Sequence, residues 1–239
     1  MNRIVDFHTH ILPGIDDGSG SLEESMALLR MEAEQGIGHV MATPHFYPMH
    51  DDPERFLERR KAAEARLREE MEKRSGLPRL SVGAEVYYFP GISESDILPE
   101  LTIGSKRCIL IEMPMSVWTE HMYRELEGIA VKQGLMPVIA HMDRYIRPFR
   151  TYGIPQRLAE LPVYVQANAG FFLDRSTASM AMRLLREDKI QLLGSDCHNL
   201  ASRMPNLGPA VQTIEKRLGA GVLERICAYQ DEVLADAFV

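Results

Sequence analysis

The chain has 239 residues, enough for one sizeable hydrophobic core, and its hydrophobic content of 45% is typical of a globular protein rather than a disordered one. Its formal net charge of -7 argues against non-specific binding to nucleic acid or to an anionic membrane surface. No apolar run approaches the roughly 20 residues that span a bilayer, so we expect no membrane insertion.

The amino terminus enters an apolar run almost at once and lacks the pattern of a signal peptide. Cys108, Cys197 and Cys227 have neither the number nor the spacing of a disulfide framework, and they contain no CxxC metal clip. These features predict a protein of the reducing cytoplasm.

Short apolar runs predict β-strands along the chain, and each run ends at, or within three residues of, a His, Asp, Glu or Asn. Core packing alone does not explain a coincidence that is repeated so often. In an α/β barrel the carboxyl ends of the strands meet at one face, where the active site lies. The seven runs are 3–7, 37–43, 80–84, 108–111, 136–140, 162–167 and 190–195.

Helical patterns lie between these runs. Ser21 and Glu24 form a capping box that begins a first helix, and Asp52 with Pro53 begins a second helix that runs to about residue 74. Further helices are predicted at 119–133, 155–160, 177–187 and 207–218, with one or two short helices at 221–236.

The alternation of strands and helices predicts an α/β fold in a single domain over residues 1–239. The longest irregular stretches follow the carboxyl ends of strands, as catalytic loops do in an α/β barrel. An open doubly wound sheet remains an alternative, because seven strands do not close a standard eight-stranded barrel. The stretches are 11–20, 86–100, 142–154 and 168–176.

Histidines at the strand ends are candidate metal ligands. His8 and His10 have the i, i+2 spacing that places both imidazoles on one face of an extended strand. A histidine pair with this spacing is more often an ordinary surface or core pair than a metal site. Asp196 and His198, however, repeat the same spacing at the last strand. His45 and His141 complete a set of five histidines at strand ends, whereas His39, His50 and His121 are expected to be structural.

Acidic side chains complete this candidate site. Glu85 and Glu112 follow apolar strands, where they either cap the next helix or meet a cation that offsets the cost of burying a carboxylate. Asp16 and Asp17 belong to an ordinary turn sequence, and at most one of them needs to be a ligand. Five histidines and about four carboxylates are too many for one tetrahedral zinc ion. They suit two or three Mn²⁺, Fe or Zn²⁺ ions, which activate water and neutralise phosphoryl charge.

Two arginines, Arg144 and Arg203, stand three and five residues after the histidines of their strands. Their planar guanidinium groups fit phosphate oxygens, so both are candidate phosphate ligands, although surface arginines are common in an acidic protein. The neighbouring Arg147 and Arg150 are expected to be solvated.

Cys197 and Arg203 match C-x5-R, the spacing of phosphatases in which a cysteine thiolate attacks phosphorus. The loop between them has no glycine to turn consecutive amides inward. Cys197 also alternates with Asp196 and His198, so we expect its side chain to point to the other face of the strand. A thiolate mechanism remains an alternative to the metal site.

The chain carries the motifs His8-x-His10, Asp16-Asp17-Gly18, Thr43-Pro44-His45, Gly83-Ala84-Glu85, Ile111-Glu112, His141-x-x-Arg144 and Ser195-Asp196-x-His198. Together they resemble the polymerase-and-histidinol-phosphatase (PHP) superfamily over about residues 4–205. More closely, they resemble the bacterial manganese-dependent protein-tyrosine phosphatases encoded with capsule and exopolysaccharide genes. Most of this likeness comes from the segments HTHILPGIDDG at 8–18 and ATPH at 42–45.

The resemblance implies a distorted seven-stranded α/β barrel with a trinuclear metal site, in which Arg144 and Arg203 grip the phosphate. The implied substrate is the phosphotyrosine-rich tail of a bacterial tyrosine autokinase that controls polysaccharide export, and the implied ions are Mn²⁺. The implied ligand sets are His8, His10, Glu85 and Asp196 for one metal, Glu85, Glu112 and His141 for the second, and Asp17, His45 and His198 for the third.

The sequence therefore supports the hypothesis of a metal-dependent phosphotyrosine phosphatase, in which Asp196 or a metal-bound water assists the tyrosinate leaving group. The rivals are another phosphoesterase of the superfamily, such as a histidinol-phosphate phosphatase, a nuclease-like module, and a non-catalytic scaffold that binds a kinase. The sequence departs from the family pattern in two places. Segment 86–100 differs freely between members and is expected to shape the substrate mouth, and Asp143 stands where a Glu is expected.

Overall fold

The computed structural model describes residues 4–104, 107–146 and 153–235, and these contain nine β-strands. The strands are β1 (Val5–Thr9), β2 (His39–Ala42), β3 (His45–Phe46), β4 (Arg79–Val82), β5 (Glu85–Tyr87), β6 (Cys108–Glu112), β7 (Met136–Ile139), β8 (Tyr164–Asn168) and β9 (Leu192–Gly194). They pair in parallel in two sheets, with the orders β1-β2-β4 and β3-β5-β6-β7-β8-β9.

Nine strands appear where seven were predicted, because two further strands, β3 and β5, directly follow the predicted runs 37–43 and 80–84. Pro44 separates β2 from β3, and a proline has no backbone N–H to donate to a strand ladder. Gly83 separates β4 from β5 at a close approach, since a Cβ on it would lie 2.4 Å from Ile103 Cγ2. Each interruption moves the chain from the first sheet to the second.

The first and last strands lie side by side, which curls the parallel sheet. The amide of His10 donates to the carbonyl oxygen of Cys197 at 2.8 Å, and the amide of Asp196 donates to the carbonyl oxygen of His8 at 2.7 Å. Thr9 also pairs in parallel with Cys197. The predicted mixed α/β class is confirmed, with a curled parallel sheet rather than an open one.

Helices follow most strands and cover the sheet. They are α1 (Leu22–Glu34), α2 (Pro53–Glu72), α3 (Glu120–Gln133), α4 (Asp143–Ile146), α5 (Ile154–Leu158), α6 (Ala169–Leu173), α7 (Ala178–Arg186), α8 (Leu207–Leu218) and α9 (Ala220–Leu234). None of the helices in the described ranges is long and apolar enough to cross a membrane.

The predicted helix starts agree with the observed caps. The Ser21 hydroxyl accepts from the amide of Glu24 at 3.2 Å, and the Asp52 carboxylate accepts from the amide of Arg55 at 2.9 Å. The carboxyl-terminal segment forms one helix, α9. The short helices α4 and α6 fall in stretches that were predicted to be irregular, as do two 3₁₀ turns at Ile92–Glu94 and Leu98–Leu101.

A small apolar cluster fills the space inside the curled sheet. Phe7, Leu110, Val138 and Leu192 come from four different strands and pack together with Val233 of α9. Strands β1 and β6 are not paired, so their side chains meet only across the interior. The larger core lies between the strands and the surrounding helices.

Candidate metal centre

The candidate ligands converge at one edge of the curled sheet, because parallel strands present their carboxyl ends together. Their strands also support them from the buried side, because most residues of the runs that end in a ligand are buried. The residues that meet there are His8, His10, Asp17, His45, Glu85, Glu112, His141, Asp196 and His198, all of them predicted from the sequence.

Glu85 lies at the centre of this cluster and contacts four imidazoles. Its Oε2 atom is 3.1 Å from His8 Nε2, 3.3 Å from His10 Nε2 and 3.0 Å from His45 Nδ1. Its Oε1 atom is 2.8 Å from His141 Nε2. Burial opposes ionisation, but the charge of His8 and the hydrogen bonds from the imidazoles hold the pKa of Glu85 well below its usual range.

Asp196 joins the cluster to the two arginines. Its carboxylate accepts from Arg144 Nη2 at 2.5 Å and pairs with Arg203 Nη2 at 2.7 Å. The Oδ1 atom also lies 3.6 Å from the Nε2 atoms of His8 and His10. Burial would raise the pKa of Asp196, but the charges on both histidines and on Arg144 hold it below its usual range.

The backbone is in the left-handed region at two of these residues, Asp196 with φ 56° and His141 with φ 31°. A side chain makes this region costly, so the surrounding hydrogen bonds must hold the two residues there. The strained backbone aims both side chains into the cluster.

Glu112 lies at the partly exposed side of the cluster. Its Oε1 atom is 3.6 Å from His141 Nε2 and from Arg144 Nη1, and its Oε2 atom is 3.9 Å from His45 Nδ1. Burial and the neighbouring Glu85 raise the pKa of Glu112. A cation between the two carboxylates would offset this repulsion.

Asp16 and Asp17 point in different directions, and the sequence alone did not decide which of them faces the cluster. The carboxylate of Asp17 is 68% exposed and lies 3.5 Å from His45 Nε2 and 3.6 Å from His198 Nε2. Asp16 is turned inward and accepts from His10 Nδ1 at 2.8 Å. Burial lowers the pKa of His10, but the hydrogen bonds with Asp16 and Glu85 outweigh it and raise that pKa to about 10. Asp16 therefore orients His10, while Asp17 faces the cluster.

Two side chains of β8 support the cluster from behind, and sequence reasoning missed both roles. Gln166 Oε1 contacts His8 Nδ1 at 3.3 Å and accepts from the amide of His141 at 2.6 Å. Asn168 donates to Asp196 Oδ2 at 3.0 Å. Such outer partners fix the orientation of ligating groups. Their signal in the sequence is the i, i+2 spacing of two amides at the end of an apolar strand.

The donor set fits divalent cations. The candidate ligands form three groups of side chains. Within each group, every side chain offers one ligand atom, and these atoms all lie within 4.8 Å of one another. The buried atoms His45 Nδ1, Glu85 Oε2 and His198 Nε2 form no hydrogen bond with any described residue, so a cation would satisfy them. Mixed imidazole and carboxylate donors suit Mn²⁺, Fe and Zn²⁺. The groups are His10, Asp17, His45 and His198; His8, His10 and Glu85; and His45, Glu85 and Glu112.

The structure contradicts the thiolate alternative at Cys197. The side chain is fully buried, as the alternation predicted, and its Sγ atom lies 4.0 Å from Glu32 Oε1. Burial and the charge of Glu32 raise the pKa of the Cys197 thiol well above its usual range. A protonated, inaccessible thiol cannot attack phosphorus.

The remaining candidates lie apart from the cluster. His39 contacts Ser81 Oγ at 2.9 Å, and His121 lies 3.9 Å from a carboxylate oxygen of Glu125 on α3. His50 is exposed in the turn after β3. Arg147 and Arg150 lie outside the described residues.

Residues 4–234 match the family model described as Capsular polysaccharide synthesis, CpsB/CapC. Tyrosine-protein phosphatase CpsB of Streptococcus pneumoniae is 31% identical over 229 residues, covering 91% of this chain and 92% of the relative. Tyrosine-protein phosphatase YwqE of Bacillus subtilis (strain 168) is 29% identical over 228 residues, covering 91% of this chain and 86% of the relative.

The fold is similar to a chain from the crystal structures of YwqE from Bacillus subtilis and CpsB from Streptococcus pneumoniae, described as unique metal-dependent tyrosine phosphatases. The TM-score is 0.86 at 23% sequence identity, and the superposition covers 99% of this chain and 96% of that chain. At this identity the likeness shows the fold alone.

Proposed function

We propose a function for this chain from one premise: it belongs to the capsular polysaccharide synthesis family CpsB/CapC. The chain is a metal-dependent protein-tyrosine phosphatase. Its substrate is phosphotyrosine on the tail of a bacterial tyrosine autokinase that regulates capsule or exopolysaccharide synthesis. Relatives that align with about nine-tenths of the chain are named tyrosine-protein phosphatases, which supports this reaction.

One observation carries the proposal. A buried carboxylate, Glu85, contacts four imidazoles, and the neighbouring Asp196 binds two arginines. Imidazoles and carboxylates gather divalent cations, while guanidinium groups bind phosphate oxygens. The two halves of the cluster therefore suit a phosphoester better than an uncharged substrate.

The proposed cofactors are two or three divalent ions, with Mn²⁺ as the first candidate and Fe or Zn²⁺ as alternatives. Such ions, when bound, lower the pKa of water and neutralise charge on a phosphoryl group. The residues that would hold them are His8, His10, Glu85 and Asp196 for the first, Glu85, Glu112 and His141 for the second, and Asp17, His45 and His198 for the third.

The chain's own residues orient the phosphate and the leaving group. Arg144 and Arg203 each present donors beside Asp196, so a phosphate at this point would receive hydrogen bonds from both. Asp196 is held ionised by its cationic neighbours, which suits the positioning of the arginines better than proton donation. A tyrosinate leaving group, with a pKa of about 10, needs less help from an acid than an alkoxide does.

The rim of the site favours a protein substrate over a small polar phosphoester such as histidinol phosphate. Of the eight large hydrophobic side chains that are exposed in the described residues, seven lie on segments that follow the carboxyl ends of strands. Exposed apolar side chains on such segments suit contact with a protein tail better than with a small polar phosphoester. The seven are Tyr47, Met49, Met115, Val117, Leu173, Leu200 and Met204.

We further propose a cytoplasmic location, where a kinase tail would be accessible, and a distorted seven-stranded barrel as the architecture. In this barrel β2 with β3 and β4 with β5 each count as one strand. The hydrogen bonds between the ends of β1 and β9 support this closure.

The test compares a chelated enzyme with a Cys197→Ser variant on a phosphotyrosine peptide. Chelation is expected to abolish turnover, and the Cys197→Ser variant to retain most of it, because the thiol is buried away from the cluster. Histidinol phosphate and single-stranded DNA serve as competing substrates. Faster turnover of either one, or no hydrolysis of any phosphoester by metal-loaded protein, contradicts the proposed function.

A further inference from the structure

Two tyrosines extend the candidate metal centre outward along neighbouring strands. In β3 and β5, His45 pairs with Glu85 in parallel register. Side chains two residues apart share a face of an extended strand, so Tyr87 follows Glu85 on the side of the site within β5. Tyr47 lies one residue beyond β3, and its ring stacks on the imidazole of His45. The intervening residues, such as Phe46, turn into the core.

The rings form a continuous path out of the cluster. The centroid of the Tyr47 ring lies 5.1 Å from that of the His45 imidazole, with an interplanar angle of 26°, which is a stacked arrangement. The Tyr87 ring lies 5.8 Å from the Tyr47 ring. His45 in turn lies 4.4 Å, between ring centroids, from His10, whose Nε2 atom is 3.6 Å from Asp196.

A cleft of about 430 Å³ opens between these two segments. One wall is a turn in which the amides of His50 and Asp51 both donate to the carbonyl oxygen of Tyr47. The other wall is held by the amide of Tyr88, which donates to the carbonyl oxygen of Glu112 at 2.8 Å. The cleft therefore has a built shape with aromatic sides, to which Met49, Phe89 and two prolines also contribute.

The two ends of the site differ in the charge of their side chains. None of the eight described residues that line the cleft is a lysine or an arginine, so these residues offer a phosphate no ammonium or guanidinium group. The guanidinium groups of Arg144 and Arg203 lie at Asp196, at the other end of the row of imidazoles. A substrate whose phosphate binds at the arginines presents its uncharged part toward the cleft.

We infer that this cleft binds the phenyl ring of phosphotyrosine, with Tyr47 and Tyr87 as the residues that select aryl over alkyl phosphomonoesters. The inference rests on the proposed function and names the feature of the substrate that the site recognises. Aromatic rings stack favourably in offset or tilted arrangements, as these two tyrosines are placed to do. An alkyl phosphate would leave the cleft unfilled.

The experiment measures, by calorimetry on the Mn²⁺-loaded protein, the Kd of phenylphosphonate and of methylphosphonate, which share the anionic group and differ in the ring. The wild-type protein is expected to bind phenylphosphonate more tightly. Tyr47→Ala is expected to reduce this preference by roughly two- to tenfold, the usual effect of one aromatic pair, while the Kd of methylphosphonate stays the same.

The controls distinguish the loss of the aromatic ring from a change in the fold. Tyr47→Phe keeps the ring and is expected to keep the preference, as is Val131→Ala, which removes an exposed apolar side chain on α3. Tyr87→Ala gives a second, independent removal of the ring surface. An unchanged preference in both alanine variants overturns the inference.

Hydrolysis of a phosphotyrosine peptide by the same preparations distinguishes failure of the cleft assignment from failure of the proposed function. Wild-type turnover together with an unchanged preference in the variants rejects the cleft and leaves the proposed function standing. A wild-type protein that hydrolyses no phosphotyrosine rejects both. Turnover with a reduced preference in Tyr47→Ala and Tyr87→Ala supports both.

Discussion

At the scale of single residues, the candidate centre depends on a carboxylate that has little reason to be buried except to meet cations. Glu85 is 1% exposed and faces four imidazoles. Its Oε2 atom forms no hydrogen bond with any described part of the chain. A buried ionised carboxylate is strongly destabilising unless positive charge balances it, and the imidazoles around Glu85 are placed to hold cations that would supply this charge.

Glu85→Gln is expected to lower both metal content and turnover, because a neutral amide would hold a divalent cation more weakly than a carboxylate does. Loss of an outer partner alone usually costs about 10–100-fold in metal affinity, so the loss here should exceed about 100-fold. Elemental analysis beside kinetics measures the effect, with Glu127→Gln on the exposed face of α3 as the control. Normal metal content in Glu85→Gln would contradict the assignment.

Arg144→Ala is expected to reduce turnover while leaving metal content nearly intact. The guanidinium group contacts Asp196 and is placed to bind phosphate, and removal of one such donor typically costs about 100-fold in rate. The same two measurements apply, with the exposed Arg124→Ala as the matched variant. A parallel fall in metal content would show that Arg144 holds the cluster together instead.

At the scale of secondary structure, the site depends on how closely β9 approaches β1. A Cβ added at Gly194 would lie 2.7 Å from His8 Cβ and 2.8 Å from Gln166 Nε2. Only glycine permits this approach, which brings Asp196 and His198 beside the first strand.

Gly194→Ala is expected to destabilise the fold by about 1–3 kcal/mol through overpacking, and Tm should fall by about 2–10 °C. His8 must move to make room, so metal content should fall as well. Thermal unfolding and elemental analysis measure the two effects. Gly221→Ala on α9 is the control, since nothing lies within 4 Å of the added methyl group; equal effects in both variants would reject the close approach as the cause.

Helix α1 buries a second acid, Glu32, against the underside of the site. Burial and the charge of Asp6 raise the pKa of Glu32 well above its usual range. The folded state therefore binds this proton more tightly than the unfolded chain does. The associated stability is present below the unfolded pKa and is lost as the pH rises through the raised folded pKa.

Glu32→Gln removes this titration, so the variant is expected to be more stable than the wild type at pH 8, with Tm about 2–4 °C higher. The difference should shrink at pH 5, because the raised pKa of Glu32 favours the protonated wild-type carboxyl as the pH falls. Thermal unfolding at both pH values tests this, with the exposed Glu34→Gln on the same helix as the control. A constant difference at the two pH values would count against a titration of Glu32.

At the scale of the whole molecule, the candidate ligands tie together segments that are far apart in the chain. They come from β1 and the loop after it, from β3, β5 and β6, and from the loops after β7 and β9. Folding without cations buries Glu112 close to Glu85, and burial together with the charge of Glu85 raises the pKa of Glu112. Metal binding and folding are therefore coupled.

Mn²⁺ is expected to raise Tm in a concentration-dependent way. At 100 times Kd the stabilisation is about 2.7 kcal/mol, which corresponds to about 5–10 °C for a chain of this length. Differential scanning calorimetry with and without chelator measures the shift. Glu85→Gln should show little of it, and an equal shift in that variant would place the stabilising ions elsewhere.

The individual elements show how far local sequence reasoning reaches. Helices α1, α2 and α8 were predicted nearly to the residue, because their caps and periodicity are local signals. Strands β3 and β5 were missed, because they are only two and three residues long and are defined by their pairing in the second sheet. The short helices α4 and α6 were missed because four or five residues carry too little periodicity.

The sequence by itself determined the α/β class and the list of candidate ligands, because strand ends and donor residues are both local patterns. Tertiary structure alone decided their geometry. It turned Asp16 inward as a partner of His10 and Asp17 toward the cluster, and it buried Cys197 beneath the site. These outcomes depend on how segments distant in the chain approach one another, and no local spacing encodes those distances.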